Sequence, residues 1–240
     1  MDVSKPSVIT RLKYEEAAET YFRALPLEHF MEATAQGTQR KITLESFDLV
    51  HAARPDVQVF NELLVQYPKN KKIAQVVPGN MVVVHDQPID ADGSYDLIFQ
   101  PAHPLMMLEY VSKHTARKDY DDNMVKYERD LKVPYYLLFY PDSLDLNLFH
   151  RKRARYASVT ANEAGRLAIP ELDLEVALLD DWVRYWFRGE LLPLPGEMMR
   201  DLESTRRRLR VMTRRANFAE QEVERLRAEL EQLRNPRPND

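Results

Sequence analysis

The chain of 240 residues contains no cysteine, which excludes disulfide bonds and cysteine-based zinc sites. Its six histidines are scattered and form no His-Glu-x-x-His pattern, so the zinc-protease type of helix is excluded as well. No apolar run is long enough to cross a bilayer, and no basic segment followed by an apolar one opens the chain. We therefore expect a cytoplasmic protein with no membrane partner.

The sequence also lacks Gly-x-Gly-x-x-Gly, a Walker loop and the Gly-x-Ser-x-Gly elbow, which argues against the commonest α/β enzyme classes. Its formal net charge is −4, so any binding to DNA would depend on a local basic patch. With 44% hydrophobic and 30% charged residues, the composition suits one globular domain joined to an extended part.

The N-terminal half shows two local patterns. Leu12, Ala17, Tyr21 and Leu25 recur at near-helical spacing before Pro26, which predicts an amphipathic helix over residues 11–25. The β-rich residues 57–66 fall into two halves around an Asn-Glu pair, which predicts a hairpin or a bent strand.

Three short apolar runs bounded by prolines predict central strands covered on both faces. They are Met81–Val84, Leu105–Val111 and Tyr135–Tyr140. Between the last two, Tyr120, Met124, Tyr127 and Leu131 follow the spacing of one helix face, which predicts a crossover between parallel strands. Alternation over residues 144–149 and 156–159, around a basic turn at residues 151–155, predicts an antiparallel edge.

A heptad seam begins at Met198 and continues to Leu233, because apolar residues there alternate in steps of four and three. A single surface helix would drift toward a period of 3.6, whereas this seam keeps 3.5. We expect a homo-oligomer joined by this coiled coil. Arginines are concentrated in residues 206–215, where they either bind backbone phosphates or flank the seam in solvent. The nearby glutamates favour solvated flanking positions.

Three segments of the crossover unit carry a family resemblance. They are Val76–Val84, Leu108–Thr115 and Asp119–Tyr136. They resemble a large bacterial family of restriction endonucleases in the PD-(D/E)XK nuclease superfamily, over most of residues 10–190. In that family the first segment reads Pro-Asp, the second has Glu, Ser and Thr at intervals of three, and the third has Lys four residues before Tyr. Glu109, Ser112, Thr115 and Tyr127 match.

The resemblance implies an α/β fold in which a restriction-endonuclease-like mixed sheet is flanked by helices. With the heptad seam, the expected domains are a nuclease-like domain over 1–195, a coiled coil over 196–235 and a disordered tail over 236–240. The implied function is Mg²⁺-dependent hydrolysis of DNA. In such sites two carboxylates hold the ion, the ion activates water, and a lysine stabilises developing charge. Glu109 is the implied metal ligand and Lys126 the implied charge stabiliser.

Two departures put catalysis in question. Gly79 stands at the metal position where the family has Asp, and Asn123 stands where the family has the catalytic Lys. Lys126 lies one helical turn beyond Asn123 and could reach the same place, or it could be a solvated lysine. Glu109 itself is either a metal ligand or a structural carboxylate paired with a buried lysine or backbone amides.

No neighbouring residue replaces the missing ligand easily. Asn80 should face the opposite side of the sheet, and His85 should lie roughly 20 Å away along the strand. Asp56 follows a proline and is either a substitute ligand or part of a turn. Asp121 and Asp122 are better explained as acids near a helix start. The two hypotheses are therefore a Mg²⁺-dependent DNA endonuclease with an incomplete site and a catalytically inactive, oligomeric binding protein.

Overall fold

The structure is a computed structural model that describes residues 7–25, 34–89, 91–111 and 122–234, without the side chains of residues 232 and 233. The chain divides into two units, Met1–Leu192 and Pro193–Asp240. In the described ranges, no helix has both the length and the apolar character needed to cross a membrane.

The first unit contains two long helices and thirteen strands within its described ranges. The helices are α1 (Val8–Ala24) and α2 (Thr34–Ala53). The strands are β1 (Val57–Asn61), β2 (Leu64–Lys69), β3 (Lys72–Val76), β4 (Asn80–Val84), β5 (Ser94–Asp96), β6 (Pro104–Tyr110), β7 (Tyr135–Tyr140), β8 (Asp145–Lys152), β9 (Arg155–Ser158), β10 (Leu167–Ile169), β11 (Leu174–Leu179), β12 (Trp182–Phe187) and β13 (Glu190–Leu191).

A six-stranded mixed sheet in the order β1-β4-β6-β7-β8-β9 carries the predicted central strands. β6 and β7 are parallel and every other neighbouring pair is antiparallel. The three apolar runs therefore lie at adjacent interior positions, because their unbroken apolar character requires cover on both faces. The predicted parallel crossover and the antiparallel edge formed by β8 and β9 are both confirmed, as is the α/β fold class.

Two smaller sheets accompany the central one, in the orders β3-β2-β5 and β10-β11-β12-β13. The predicted hairpin over residues 57–66 is wrong, because β1 and β2 belong to different sheets. The chain turns between them at Glu62, whose φ is 46°. The alternative prediction of a bent strand is closer to the structure, but the two halves pair with strands of different sheets.

Helix α1 confirms the predicted N-terminal helix, although its buried residue is Tyr14, and Leu12 is exposed. Helix α2 was not predicted. Its buried face interleaves Phe47 and Val50 with the polar residues Gln39, Thr43 and Ser46, all at most 1% exposed. A face that is half polar gives no clear apolar period. Gln39 and Thr43 find their partners in tertiary contacts, whereas the buried Ser46 hydroxyl has none among the described residues.

The described end of the predicted crossover helix is π-helical at Lys126–Asp130, and residues 122 and 123 have the same winding. The predicted helix is therefore present over the described residues 122–130, although most of them have π-helical winding. A π-helix closes i→i+5 hydrogen bonds and is wound more widely than an α-helix. Residues four apart share one face in both kinds of helix, whereas residues three apart lie further round the axis of a π-helix.

The second unit contains one helix, α3 (Pro195–Arg234). Glu197 accepts a hydrogen bond from the backbone N–H of Leu194 at 2.7 Å, which caps the first turn. The forty residues of this helix include the whole predicted heptad seam apart from the side chain of residue 233, which lies outside the described part.

Candidate functional site

Glu109 lies next to the C-terminal end of β6, and its side chain is 7% exposed. The register that pairs Asn80 with Leu108 places residue 79 directly across from Glu109. An ionised carboxylate in such a position needs strong partners, because burial without them is costly. The sequence placed the acid correctly beside the position where the family carries its Asp.

At least three protein donors contact the Glu109 carboxylate. Asn123 donates its side-chain N–H to Oε1 at 3.1 Å, and the Tyr127 hydroxyl donates to the same oxygen at 2.6 Å. The backbone N–H of Gly79 donates to Oε2 at 3.1 Å. We call these three donors the Glu109 clamp. They connect β6 to the start of β4 and to the crossover segment, so the carboxylate joins three parts of the fold.

Asn123 and Tyr127 reach one oxygen because residues four apart lie on one face of a helical segment. Lys126 belongs to the same stretch and is half-buried. It is three residues from Asn123, one turn further along the same helical segment. Its role as charge stabiliser stays a prediction. The motif residues Ser112 and Thr115, and Asp121, lie outside the described residues.

Gly79 sits in a confined space. A Cβ atom built on it would lie 3.0 Å from the carbonyl oxygen of Leu108 and 3.3 Å from the Tyr110 ring. Its own carbonyl accepts from the Glu62 N–H at 3.2 Å. Because the nearest obstacle is backbone, which cannot swing aside like a side chain, a side chain at residue 79 would require β6 to shift slightly.

Asn80 lies on the other face of the sheet, as predicted, and takes part in a separate buried network. Its Oδ1 accepts from the Tyr110 hydroxyl at 2.6 Å, and that hydroxyl also bonds to Thr43 Oγ1 at 2.8 Å. Thr43 bonds in turn to the Tyr185 hydroxyl at 2.8 Å. Burial raises the pKa of Tyr110 well above its ordinary value. This network fixes α2 on the sheet.

The two substitute ligands considered from the sequence lie at the wrong end of β4. The backbone N–H of His85 donates to the Asp56 carbonyl at 2.8 Å, roughly 20 Å along the strand from Gly79. The Asp56 carboxylate accepts two hydrogen bonds from Arg54, at 2.7 and 3.3 Å, which hold its pKa below the ordinary value. Asp56 is therefore part of an ion-paired turn, and not a partner of Glu109.

Comparison with known protein families identifies the family of this chain. The model of the family described as "Putative restriction endonuclease" (Uma2) matches residues 30–180, more than half of the chain. The chain belongs to this family. A crystal structure described as "a putative nuclease belonging to DUF820 from Anabaena variabilis ATCC 29413" is 14% identical, with a TM-score of 0.46 over 59% of this chain and 75% of that one. A comparison with curated proteins finds no match.

Among the residues that the structure describes, the surroundings of Glu109 do not fit the magnesium site implied by the Uma2 resemblance. Mg²⁺ takes near-octahedral oxygen ligands and usually one or two carboxylates. Within the described ranges, no group of three or more His, Asp or Glu side chains could hold a metal ion. Within the described residues, Glu109 is the carboxylate to which the Glu109 clamp donates, and an ionised carboxylate offers about four acceptor positions, of which the clamp takes three.

Sequence reasoning found Glu109, Gly79 and Asn123 but assigned their contacts incompletely. In the sequence, Gly79 and Asn123 indicate only the loss of a metal ligand and of a catalytic lysine. A missing motif residue is visible in a sequence, whereas a new hydrogen bond is not. Tyr127 was matched to the family pattern without a role. The buried network of Asn80 was missed, since its partners come from α2 and β12, which are far apart in the sequence.

Proposed function

We propose that this Uma2-family protein binds DNA without hydrolysing it, and that its former metal centre now serves the fold. The observation that carries the proposal is that both departures from the family motif donate to the same carboxylate. Gly79, in place of Asp, offers its backbone N–H to Glu109, and Asn123, in place of Lys, offers its side-chain amide.

A catalytic metal centre and the Glu109 clamp differ in the sign of the charge that surrounds the central group. A catalytic centre of this superfamily gathers negative ligands around a cation, which polarises a water and neutralises charge on the phosphodiester. The Glu109 clamp gathers positive ends of dipoles around a single anion. Charge-assisted hydrogen bonds of this kind stabilise a buried carboxylate. The arrangement therefore supports a structural role for Glu109.

The confined space at Gly79 supports the same conclusion. The Cβ of an aspartate there would require the Leu108 carbonyl and the Tyr110 ring to shift by a few tenths of an ångström. The loss of the ligand is thus coupled to packing around the vacant position. We expect that Gly79→Asp, alone or with Asn123→Lys, does not restore a metal centre.

The β8–β9 hairpin supplies the local basic patch that DNA binding needs in a chain of net negative charge. Its tip contains Arg151, Lys152, Arg153 and Arg155 and no acidic residue. All but Arg151 are exposed, and Arg151 donates to the Glu128 carbonyl at 2.8 Å, which anchors the hairpin. Exposed lysine and arginine on a rigid hairpin can neutralise backbone phosphates.

Binding is tested with the full chain and a fluorescent 30-base-pair duplex, by anisotropy at several salt concentrations. Lys152→Glu with Arg153→Glu should weaken binding about tenfold or more and lower the slope of log affinity against log salt by about two. The matched control is Lys41→Glu on α2, whose side chain is 75% exposed. Equal affinity of the native chain and the hairpin variant would contradict the assignment.

Mg²⁺-dependent cleavage of DNA is the second candidate, favoured by the family and by the position of Glu109 beside residue 79. It would use Glu109 as ligand and Lys126 as charge stabiliser. Purified protein incubated with supercoiled plasmid and Mg²⁺ or Mn²⁺ separates the two functions. We expect no nicking. Cleavage by the native chain that disappears in Glu109→Gln would establish the second candidate instead.

We also propose that the chain acts in the cytoplasm as a homo-oligomer joined through α3. The heptad seam supports this association, because its apolar residues are exposed on the single helix. Two copies would each bring a basic hairpin, and linked binding sites raise the apparent affinity for one long ligand.

A further inference from the structure

We propose that α3 pairs with α3 of a second copy as a parallel, in-register coiled coil. The inference rests on the proposed association and adds its orientation and register. Orientation matters because it decides whether the two first units are attached at the same end of the coil or at opposite ends.

The seam of α3 leaves large apolar side chains in solvent on an isolated helix. Leu209 is 63% exposed, Met212 is 67% exposed and Leu230 is 60% exposed. Exposed apolar side chains that recur along one stripe mark an interaction surface. Because the stripe keeps a seven-residue repeat over about five heptads, its fitting partner is another helix with the same repeat.

The repeat fixes the heptad position of every residue in α3. The a positions are Leu202, Leu209, Ala216, Val223 and Leu230, and the d positions are Met198, Thr205, Met212, Ala219, Leu226 and Leu233. The g positions are Asp201, Arg208, Arg215, Glu222 and Glu229, and the e positions include Arg206, Thr213, Glu220, Arg227 and Arg234. Charges at e and g set the partner and the orientation.

In a parallel, in-register pair, each g residue faces the e residue five positions later in the other copy. The facing pairs are Asp201 with Arg206, Arg208 with Thr213, Arg215 with Glu220, Glu222 with Arg227, and Glu229 with Arg234. Four of these five pairs join opposite charges, and the fifth contains an uncharged threonine. No like charges meet. The charged e and g residues beside the seam therefore attract those of a second copy in this orientation.

An antiparallel pair places g against g and e against e. The alignment that overlaps the whole seam pairs Arg208 with Glu229 and Arg215 with Glu222, but it also brings Arg206 against Arg227. A shift by one heptad brings Arg215 against its own copy and Asp201 against Glu229. Each antiparallel alignment therefore carries repulsive contacts that the parallel one avoids.

Salt bridges within α3 leave the parallel pairs available. Arg225 at a c position donates to Glu222 at 2.6 Å and lies 3.7 Å from Glu229. Both glutamates are at g positions, which adjoin c positions on the helix surface. A carboxylate has two oxygens, so each glutamate can keep its contact with Arg225 and accept from an arginine of the other copy.

The absence of cysteine makes the orientation directly measurable, because one introduced thiol reports on its own copy. Thr205→Cys and Leu230→Cys place thiols about 38 Å apart on one helix. In the full chain under mild oxidation, each variant alone should form a disulfide-linked dimer in high yield. Gln221→Cys, at an f position facing away from the seam, is the matched control and should stay unlinked.

The other outcomes are distinguishable. Cross-linking only when the Thr205→Cys and Leu230→Cys chains are mixed would show antiparallel pairing, which overturns the orientation but keeps the association. A monomeric mass of the native chain by light scattering at tens of micromolar, with no cross-link in any sample, would overturn both. A mass of three copies with homotypic cross-links would overturn the pair but keep the parallel register.

Discussion

Replacing Glu109 with glutamine separates a structural carboxylate from a metal ligand, because the two roles predict changes of opposite sign. Glutamine keeps the shape of the side chain. Its carbonyl oxygen can still accept from Asn123 and Tyr127, but its amide group must then face the N–H of Gly79. The amide N–H of the glutamine then meets the N–H of Gly79, so two donors face each other. The two remaining hydrogen bonds are made to a neutral oxygen instead of a charged one.

The magnitude follows from these contacts. A hydrogen bond to a charged group contributes roughly 1.5–3 kcal/mol and a neutral one about 1 kcal/mol, so the two retained bonds lose about 2 kcal/mol together. The unpaired N–H of Gly79 costs roughly 1–3 kcal/mol more. Burying a neutral amide instead of a carboxylate offsets part of this loss. We expect a net loss of about 3 kcal/mol, which lowers Tm by roughly 6–12 °C in a unit of this size.

The assay is thermal unfolding of the native chain, Glu109→Gln and the exposed control Glu190→Gln, each with 10 mM Mg²⁺ and with a chelator. The loss in Glu109→Gln should be the same in both buffers, and the control should change little. If Glu109 were a metal ligand awaiting its ion, removing its charge would raise Tm in the chelator, and Mg²⁺ would stabilise only the native chain. Either result would refute the structural role.

Three further changes test the surroundings of the site. Gly79→Ala should cost about 1–3 kcal/mol in denaturant unfolding, because its Cβ meets the backbone of β6, whereas an unhindered glycine would gain stability. Gln39→Leu should cost about 2–4 kcal/mol, because Gln39 pairs with both backbone groups of Val183. Tyr110→Phe should be less stable at pH 7, since it loses the bond to Asn80, but less sensitive to alkali. Because the pKa of Tyr110 is raised, the stabilisation given by its neutral hydroxyl is complete below pH 10 and is lost above pH 10, at about 1.4 kcal/mol per pH unit. The measurement is the urea midpoint of both chains from pH 9 to 11.

The central strands were predictable because their signal is local. An unbroken apolar run such as that of β7 can be satisfied only inside a sheet, and the spacing between β6 and β7 left room for a crossover. Helix α2 was not predictable from periodicity. Its buried glutamine and threonine are satisfied by β12 and by Tyr110, and these contacts exist only in the folded chain.

The candidate site was predictable in position but not in character. The motif pattern located Glu109 beside residue 79 and near the crossover segment. It could not show that Asn123 and Tyr127, four residues apart on one helix face, both donate to one oxygen of that carboxylate. Nor could it show that Gly79 uses its backbone N–H, because every residue except proline carries that group and no sequence pattern records where it points.

The most direct test of the structural role of Glu109 is a titration of the native chain with Mn²⁺, followed by the electron paramagnetic resonance signal of the free ion. Mn²⁺ accepts the same oxygen ligands as Mg²⁺ and reports its own binding. We predict that the native chain and Glu109→Gln leave the same amount of Mn²⁺ free at every concentration. Stoichiometric binding by the native chain that is lost in Glu109→Gln would contradict the account.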